Sequence, residues 1–276
     1  MTDFQDASAL APAGDLRWTA DLPPDWTQGR TAFGGLVAAL AADVAARVCG
    51  PDRPIRSLDV AFVAPLTGPV EVTVEELGAG RSATQLSVSL RSAQTGELGT
   101  RVHVVGAAAR DSAVVVRAEP TDLPGDGDPA AQGVELPYLD GVTPVFTQNV
   151  RYQWCGEAFP FTGSGPSGTR IRGWCRHRTP AAGLAAVVSL LDAWPPAVLP
   201  MLTGPAPAST VRWSVAVTGD VEAVAPDTWL WFEADVVQAA DGYLTEVAAL
   251  YRPDGGGGFE LLARGEQLIA VYDRRS

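Results

Sequence analysis

The sequence contains two long apolar stretches, and each is followed by segments in which apolar and polar residues alternate. The first apolar stretch runs from Phe33 to Val48 and is rich in alanine and leucine. Its leucines and valines recur at four-residue spacing, which predicts a helix with one apolar stripe, and Gly50-Pro51 ends it. The alternation that follows predicts antiparallel strands joined by glycine-containing turns. These four strands cover Arg56–Pro65, Pro69–Leu77, Ser82–Arg91 and Leu98–Ala108.

The same order returns in the second half of the chain. A second apolar helix is predicted from Ala181 to Trp194, where Pro195-Pro196 ends it because the residue before a proline disfavours the helical conformation. Four further stretches have the composition and alternation of strands. They cover Ser209–Val217, Thr228–Val237, Tyr243–Arg252 and Leu261–Val271.

The two halves therefore indicate an internal duplication of a helix and an antiparallel sheet, an α+β unit of ordinary domain size. Nine positions separate Gly34 from Asp43, and nine separate Gly183 from Asp192. A stretch containing Pro120, Pro124, Gly125, Gly127, Pro129 and Pro137 lies between the halves and is interpreted as a surface linker, with an edge strand expected at Val114-Val115-Val116. The predicted boundaries are 1–110 for the first repeat, 111–140 for the linker and 141–276 for the second repeat.

Charge and composition exclude several classes of function. All 20 basic residues are arginines against 32 acidic residues, so the net charge is −12, which argues against nucleic-acid partners. The absence of lysine excludes Schiff-base and P-loop chemistry. No apolar run reaches the length of a membrane span, and the acidic stretch from Met1 to Asp15 does not resemble a secretory signal. These features favour a cytoplasmic protein.

Metal and nucleophile motifs are also absent from the sequence. Three widely spaced cysteines and two histidines favour reduced thiols and predict no metal site and no disulfide framework. Gly78 to Ala83 fits G-x-G-x-x-A, but a strand follows it where a nucleotide-binding motif needs a helix, so it is interpreted as a hairpin turn. Ser167 lacks the glycine spacing of a nucleophile elbow.

Three polar residues in apolar surroundings need an explanation. Asp192 lies near the end of the second helix, where the helix dipole disfavours a carboxylate. It is either an exposed end residue, a partner for an arginine, or a carboxylate whose pKa burial raises into the range of a useful base. Gln267 interrupts an apolar strand and is either a structural bridge or part of a site, whereas Thr210 at a strand start is ordinary by itself.

Two further groups of residues suit an anionic ligand. Gly34 and Gly35 at the start of the first helix either allow tight packing or expose backbone N–H groups that stabilise an oxyanion. The arginines of the segment from residue 170 to residue 178 fall on one face of a predicted strand, which is either a solvated face or an anion-binding face. These are Arg170, Arg172, Arg176 and Arg178.

Several motifs together resemble the acyl-CoA thioesterase II-like family, whose members have a double-hotdog fold. The resemblance rests on Phe33-Gly34-Gly35, Phe62-Val63-Ala64-Pro65-Leu66, Gly68-Pro69-Val70, the apolar helix ending at Asp192, Asp241-Gly242-Tyr243 and Gln267, and it covers Thr31 to Asp273. It implies two repeats, each with a central helix wrapped by an antiparallel sheet. It also implies hydrolysis of an acyl-CoA thioester without a metal or an organic cofactor.

The resemblance assigns roles to particular residues. Asp192 acts as the general base or orients the water, while Thr210 and Gln267 hold that water by hydrogen bonds. The helix start at Gly34 and Gly35 stabilises the oxyanion. An anionic coenzyme A bound by an acidic protein needs local arginines, so Arg170, Arg172, Arg176 and Arg178 are the candidates for its phosphates. A homo-oligomer of double-hotdog chains is compatible with the same resemblance.

The sequence departs from the family pattern and leaves two other functions open. Phe33 stands where many single-hotdog thioesterases have a histidine before the two glycines. Asp43, Ser57 and His103 stand at roughly the corresponding positions of the first half. They are a decayed second site, an active second site or an artefact of how the halves are aligned, and we interpret them as a vestige. One alternative is a non-catalytic protein of the same fold that binds acyl groups or acyl-CoA. The other is a hydratase or dehydratase, for which only His103 is available as the acid/base residue.

Overall fold

A computed structural model describes residues 1–121, 128–165 and 169–273. The first half begins with a short helix, α1 (Phe4–Ala7), and four short strands, β1 (Ala11–Gly14), β2 (Arg17–Leu22), β3 (Thr27–Gln28) and β4 (Thr31–Ala32). The long helix α2 (Gly34–Cys49) follows. Four strands complete this half: β5 (Ile55–Phe62), β6 (Gly68–Ala79), β7 (Ala83–Ser92) and β8 (Leu98–Ala107). The predicted helix and its four strands are therefore present with ends shifted by a few residues at most.

The second half repeats this order after three strands, β9 (Val134–Glu135), β10 (Val150–Trp154) and β11 (Arg170–His177). Helix α3 (Gly183–Leu191) ends three residues before the predicted end at Trp194. It is followed by β12 (Ala208–Val217), β13 (Leu230–Ala240), β14 (Tyr243–Pro253) and β15 (Phe259–Val271). No helix in the described ranges is long and apolar enough to cross a membrane.

Thirteen of the described strands form one antiparallel sheet whose order is symmetric about its middle. The order is β1-β2-β6-β7-β8-β5-β12-β15-β14-β13-β11-β10-β9. Reading outward from the β5–β12 pair, the first half gives β8, β7, β6 and β2, and the second gives β15, β14, β13 and β11. Each half thus wraps its strands around its own helix, and the two halves join edge to edge. This is the predicted double-hotdog architecture.

Irregularities in strand pairing recur at matching places in the two halves. An extra residue interrupts the β5–β8 pairing between Ile55 and Ser57, and another interrupts the β12–β15 pairing between Thr210 and Arg212. A second matching pair of irregularities lies in β6 and β13. The β6–β7 pairing is interrupted between Glu76 and Gly78, and the β13–β14 pairing is interrupted between Val236 and Gln238. Because a β-bulge fixes the local register, these pairs define which residues of the two halves correspond.

The helices pack against each other inside the sheet, and their contact depends on a residue without a side chain. The α2 residues from Gly35 to Ala42 are buried. A Cβ on Gly35 would lie 2.8 Å from the backbone oxygen of Ser189 in α3 and 2.4 Å from Cζ of Phe33. Glycine at this position therefore sets how closely the two helices approach.

The linker crosses the outer face of the second half of the sheet and is held there. The buried carboxylate of Glu233 accepts hydrogen bonds from the backbone N–H of Thr121 at 3.0 Å and from the hydroxyl of Tyr251 at 3.1 Å. The Trp174 indole N–H donates to the side-chain oxygen of Gln132 at 3.2 Å. The linker therefore covers an aromatic cluster that would otherwise be exposed on the outer face.

The expected edge strand at Val114-Val115-Val116 is wrong, because these residues form no strand and their side chains are exposed. An apolar run without a neighbouring strand edge has no partner for its backbone groups, so β-propensity alone does not make it a strand. Pro124, Gly125 and Gly127 of the predicted linker lie outside the described residues.

Substituting Glu233 tests whether the linker contact stabilises the fold. We expect Glu233→Ala to lower the free energy of unfolding by about 1–3 kcal/mol, because it leaves buried donors without an acceptor. Limited proteolysis near residue 120 becomes faster than in the wild type. The control is Glu135→Ala, which removes only an exposed ion pair with Arg151 and is expected to cost less than about 1 kcal/mol. Equal losses measured by urea unfolding would contradict the expectation.

Candidate active site

Asp192 follows the last residue of α3 and lies against the first turn of α2. Its Oδ2 atom is 2.9 Å from the position that a Cβ on Gly34 would occupy, and the backbone N–H of Gly35 hydrogen-bonds to the carboxylate. The C-terminal end of α3 disfavours a negative charge, whereas the N-terminal end of α2 favours one. The second helix thus supplies the carboxylate and the first helix supplies the environment that stabilises it.

Gln267 and Thr210 join Asp192 in one chain of hydrogen bonds. The Gln267 amide donates from Nε2 to Oδ1 of Asp192 at 2.7 Å. The Thr210 hydroxyl donates to Oε1 of Gln267 at 3.1 Å. Gln267 is buried, whereas Asp192 and Thr210 remain partly accessible. The structure therefore brings together the three residues that the sequence analysis proposed as a set, and two of them can be reached from solvent.

The bulge in β12 decides which residue of that strand faces the site. Trp213, Val215 and Val217 are buried on the inner face, so simple alternation would turn Val211 inward. The extra residue in the β12–β15 pairing moves the inward position to Thr210 and leaves Val211 41% exposed. A β-bulge thus directs the threonine hydroxyl at Gln267.

Burial gives Asp192 an unusual affinity for protons. Desolvation raises the pKa of its carboxyl to about 7, and the hydrogen bonds from Gln267 and the Gly35 backbone oppose this rise because they stabilise the charged form. A carboxylate with a pKa near neutrality accepts a proton much more readily than an exposed aspartate. The arrangement can therefore carry out general base chemistry.

The segment after Asp192 is also fixed by buried polar groups. The Tyr152 hydroxyl donates to the backbone oxygen of Ala193 at 2.8 Å, and the backbone N–H of Ala197 donates to Oε2 of Glu246 at 2.8 Å. Sequence analysis did not select Glu246. One feature of the sequence could have revealed it. Glu246 alternates in phase with Leu244, Ala248 and Leu250, which are apolar and buried, so a carboxylate stands at an inward position of β14.

Gly34 and Gly35 serve both tight packing and the exposure of backbone N–H groups, the two interpretations that the sequence left open. Gly35 allows the close helix contact described above, while its N–H is directed at Asp192. A Cβ on Gly34 would lie close to the Asp192 carboxylate and 3.1 Å from Cζ of Phe62. In the described part of the chain, the N–H of Gly34 has no hydrogen-bond acceptor. A donor at the start of α2 thus lies beside the candidate base.

The β11 arginines lie on the other face of the sheet. Ile171 and Cys175 belong to the inner core, so Arg170, Arg172 and Arg176 are on the outer face with Trp174. The outer-face contacts include an ion pair of Arg170 with Asp235, and Arg176 stacks over Trp229 with its Cζ atom 4.8 Å from the ring centroid. Arg178, just beyond the strand, donates to the backbone oxygen of Gln148. The structure does not bring these arginines to Asp192, and their contact with phosphates stays a prediction.

Asp43, Ser57 and His103, the corresponding residues proposed in the first half, do not come together in the structure. The Asp43 carboxylate bonds to Arg47 at 2.7 Å, and the His103 ring bonds to Gln85 at 3.0 Å. His103 is on the exposed outer face of β8, and Ser57 lies on β5 beyond the bulge. The structure therefore gives these residues separate partners and does not support the interpretation of them as a vestigial site.

The bulges show why the sequence register was wrong. Thr210 pairs with Ile269 immediately before its bulge, and Ile55 pairs with Gly106 in the same place. Gln267 therefore corresponds to Val104, not to His103, and Thr210 corresponds to Ile55. The sequence alignment of the two halves was therefore one residue out of register here, and since neighbouring residues of a strand face opposite sides, it matched the outward-facing His103 with the inward-facing Gln267. Ser167, rejected as a nucleophile, lies outside the described residues.

Comparisons with known proteins agree with the fold. The strand order and the two central helices are those of a double-hotdog protein. The sequence model of the acyl-CoA thioesterase N-terminal domain matches residues 22–119, and that of the acyl-CoA thioesterase C-terminal domain matches residues 120–271. The chain belongs to the acyl-CoA thioesterase family defined by these two domains. A search of curated proteins found no match.

Solved structures with the same architecture extend over nearly the whole chain. A hot dog fold protein of unknown function from Alicyclobacillus acidocaldarius has a TM-score of 0.81 at 22% identity and covers 99% of this chain and 98% of its own. The acyl-CoA thioesterase II TesB2 from Mycobacterium marinum has a TM-score of 0.69 at 16% identity, with 99% and 98% covered. At these identities the similarity establishes the fold alone.

Alanine substitutions at the two glycines separate packing from site geometry. We expect Gly35→Ala to lower the free energy of unfolding by about 1–3 kcal/mol, because its methyl group meets the backbone of α3 and cannot be relieved by a side-chain rotation. Gly34→Ala meets only the ends of the Asp192 and Phe62 side chains and costs less. Urea unfolding of both variants measures the difference, and an equal or reversed order would contradict this assignment.

Asp192 also makes stability depend on pH in a defined direction. A carboxyl with a pKa near 7 in the folded state and near 4 when unfolded stabilises the fold fully below about pH 4, and this contribution is lost as pH rises to about 7. The wild type therefore loses stability relative to Asp192→Asn over this range, with a slope of at most about 1.4 kcal/mol per pH unit. Unfolding at several pH values tests it, and parallel curves for the two proteins would refute it.

Proposed function

We propose that this protein hydrolyses an acyl-CoA thioester by direct attack of a water molecule. The observation that carries the proposal is the hydrogen-bonded chain from Thr210 through Gln267 to Asp192 at the start of α2. Membership in the acyl-CoA thioesterase family supports the reaction class. No metal or organic cofactor is part of the proposed mechanism.

In this mechanism each of the three side chains has one role. Gln267 occupies Oδ1 of Asp192, so Oδ2 on the Gly34 side remains to accept a proton. The Thr210 hydroxyl gives its own proton to Gln267 and can therefore accept a hydrogen bond from the water. Asp192 takes a proton from the water while the water oxygen attacks the thioester carbonyl carbon.

Collapse of the tetrahedral intermediate completes the reaction. The carbonyl oxygen gains a negative charge, which the Gly34 N–H and the N-terminal end of α2 stabilise. The carbon–sulfur bond then breaks, the carboxylic acid product forms, and the leaving thiolate takes up the proton held by Asp192. The base is thereby returned to its ionised form.

The substrate class follows from the family and remains part of the proposal. A coenzyme A group carries several negative charges, and the protein has a net charge of −12. Binding thus needs local cations, for which Arg170, Arg172, Arg176 and Arg178 remain the proposed group. Since Arg170 is paired with Asp235, a phosphate would have to compete with that carboxylate.

Thiol release from acyl-CoAs of several chain lengths tests the proposed reaction. We expect Asp192→Asn to lower kcat by about 10²–10⁴-fold, because the base is removed while the shape is kept. Thr210→Val is expected to lower it less, since only one hydrogen bond to the water is lost. The matched control is Asp43→Asn, at the ninth position after the glycine that begins α2, and it should retain wild-type turnover.

Two results would count against the proposal. Equal rates for the wild type and Asp192→Asn would remove Asp192 from the mechanism. Tight acyl-CoA binding by calorimetry without turnover at any chain length would favour the non-catalytic binding protein. The hydratase alternative has no support from the geometry, because His103 lies on the outer face of the sheet.

A further inference from the structure

The duplicated halves differ at one set of inward positions beside the helices. The matching bulges align Ile55 with Thr210 and Val104 with Gln267. The second pair of bulges aligns Leu86 with Glu246, because Leu86 is paired with Glu76 and Glu246 with Val236 immediately before the irregularity. All three positions are thus apolar in the first half and polar in the second: Ile55, Leu86 and Val104 against Thr210, Glu246 and Gln267.

Glu246 is directly opposite Gln267 in the β14–β15 pairing. Its side chain is only 5% exposed, and its carboxylate is held by the N–H of Ala197, five residues after Asp192. Burying a carboxyl among apolar residues costs free energy unless hydrogen bonds compensate for the lost hydration, and the N–H of Ala197 compensates for it only in part. The first half meets the needs of the fold at this position with leucine, so the fold itself does not require a carboxyl there.

The two buried carboxyls interact electrostatically. The pKa of Glu246 is raised to about 7, chiefly by burial; the Ala197 N–H opposes this rise, and the charge of Asp192 makes a smaller contribution to it. The other ionisable groups facing this interior stay in one form near neutrality. Burial raises the pKa of Tyr152 well above 10 and that of Cys175 to about 12, and it lowers that of His177 to about 4. Between about pH 5 and pH 9 the carboxyl pair is therefore what titrates on this face.

Building on the proposed function, we propose that Glu246 is a fourth polar member of the site, a positioning residue that anchors the segment after Asp192 and shares one negative charge with the Asp192 carboxyl. Two carboxyls buried near each other ionise in two separate steps, because the first charge disfavours the second. Asp192 receives hydrogen bonds from Gln267 and Gly35, whereas Glu246 receives one from Ala197. The better-solvated Asp192 holds the charge and Glu246 keeps the proton.

The shared charge has a consequence for the reaction. Activity needs Asp192 ionised, so it rises with pH through the first ionisation. Ionisation of Glu246 then adds a second negative charge to the interior in which the oxyanion develops and lowers the rate. The dependence of kcat/KM on pH is therefore bell-shaped, with its maximum near neutrality.

A pH profile of Glu246→Gln tests the role in turnover. We expect the wild type to lose roughly tenfold or more in kcat/KM between its optimum and pH 9, and Glu246→Gln to lose less than about twofold over the same range. Glu246→Leu, which introduces the residue of the first half, should also lack the alkaline loss and have a lower kcat because the Ala197 anchor is gone. Glu266→Gln, one residue from Gln267 on the exposed outer face, should keep the wild-type profile. An alkaline loss that persists in Glu246→Gln, or is absent in the wild type, would overturn the proposal.

A double-mutant cycle in stability decides the question without turnover. The wild type, Asp192→Asn, Glu246→Gln and the double variant are unfolded in urea at pH 5, 7 and 9. We expect a coupling near zero at pH 5, where both carboxyls are protonated, and a destabilising coupling that grows toward pH 9. A coupling that does not change with pH would overturn the shared charge. If the wild type hydrolysed no thioester, the proposed function would fail while this cycle would still give its answer.

Discussion

The site depends on placing a carboxylate between two helices that belong to different repeats. Asp192 is unfavourably placed for its own helix, and the N-terminal end of α2 compensates for this. Such compensation requires the helices to approach within contact distance of their backbones, which Gly34 and Gly35 allow. Neither repeat contains the site by itself, because the second supplies Asp192 and the Gln267 donor, whereas the first supplies the N-terminal end of α2.

The symmetric sheet explains how one repeat can carry polar residues that the other lacks. Both halves have the same strand order and bulges at the same two places. The backbone architecture therefore does not depend on whether the inward side chains beside the helices are polar or apolar. In the first half these positions hold apolar side chains that contribute to the core. In the second half they hold Thr210 and Gln267, which form a hydrogen-bonded chain to Asp192, and Glu246, which binds the backbone N–H of Ala197. At these inward positions the first repeat thus contributes packing and the second contributes the polar side chains.

Much of the architecture could be predicted from the sequence because periodicity reports burial directly. Both long helices and the eight strands that follow them were placed within a few residues, and the duplication was visible from their order. Short strands such as β2 and β10 were missed, since four to six residues give little alternation. The edge strand at Val114-Val115-Val116 was wrong because strand formation depends on a neighbouring edge that the sequence does not show.

The sequence by itself determined the composition of each element: which faces are apolar, where the helices end, and that a carboxylate, a threonine and a glutamine stand at unusual positions. Only the tertiary structure decided which of these residues meet. One extra residue in a strand reverses the facing of every side chain before it, so Thr210 points inward although alternation along β12 would place Val211 there. The environment of Asp192 was likewise beyond the sequence, because its pKa depends first on desolvation in the folded protein and then on opposing hydrogen bonds from Gln267 and from a helix more than a hundred residues away.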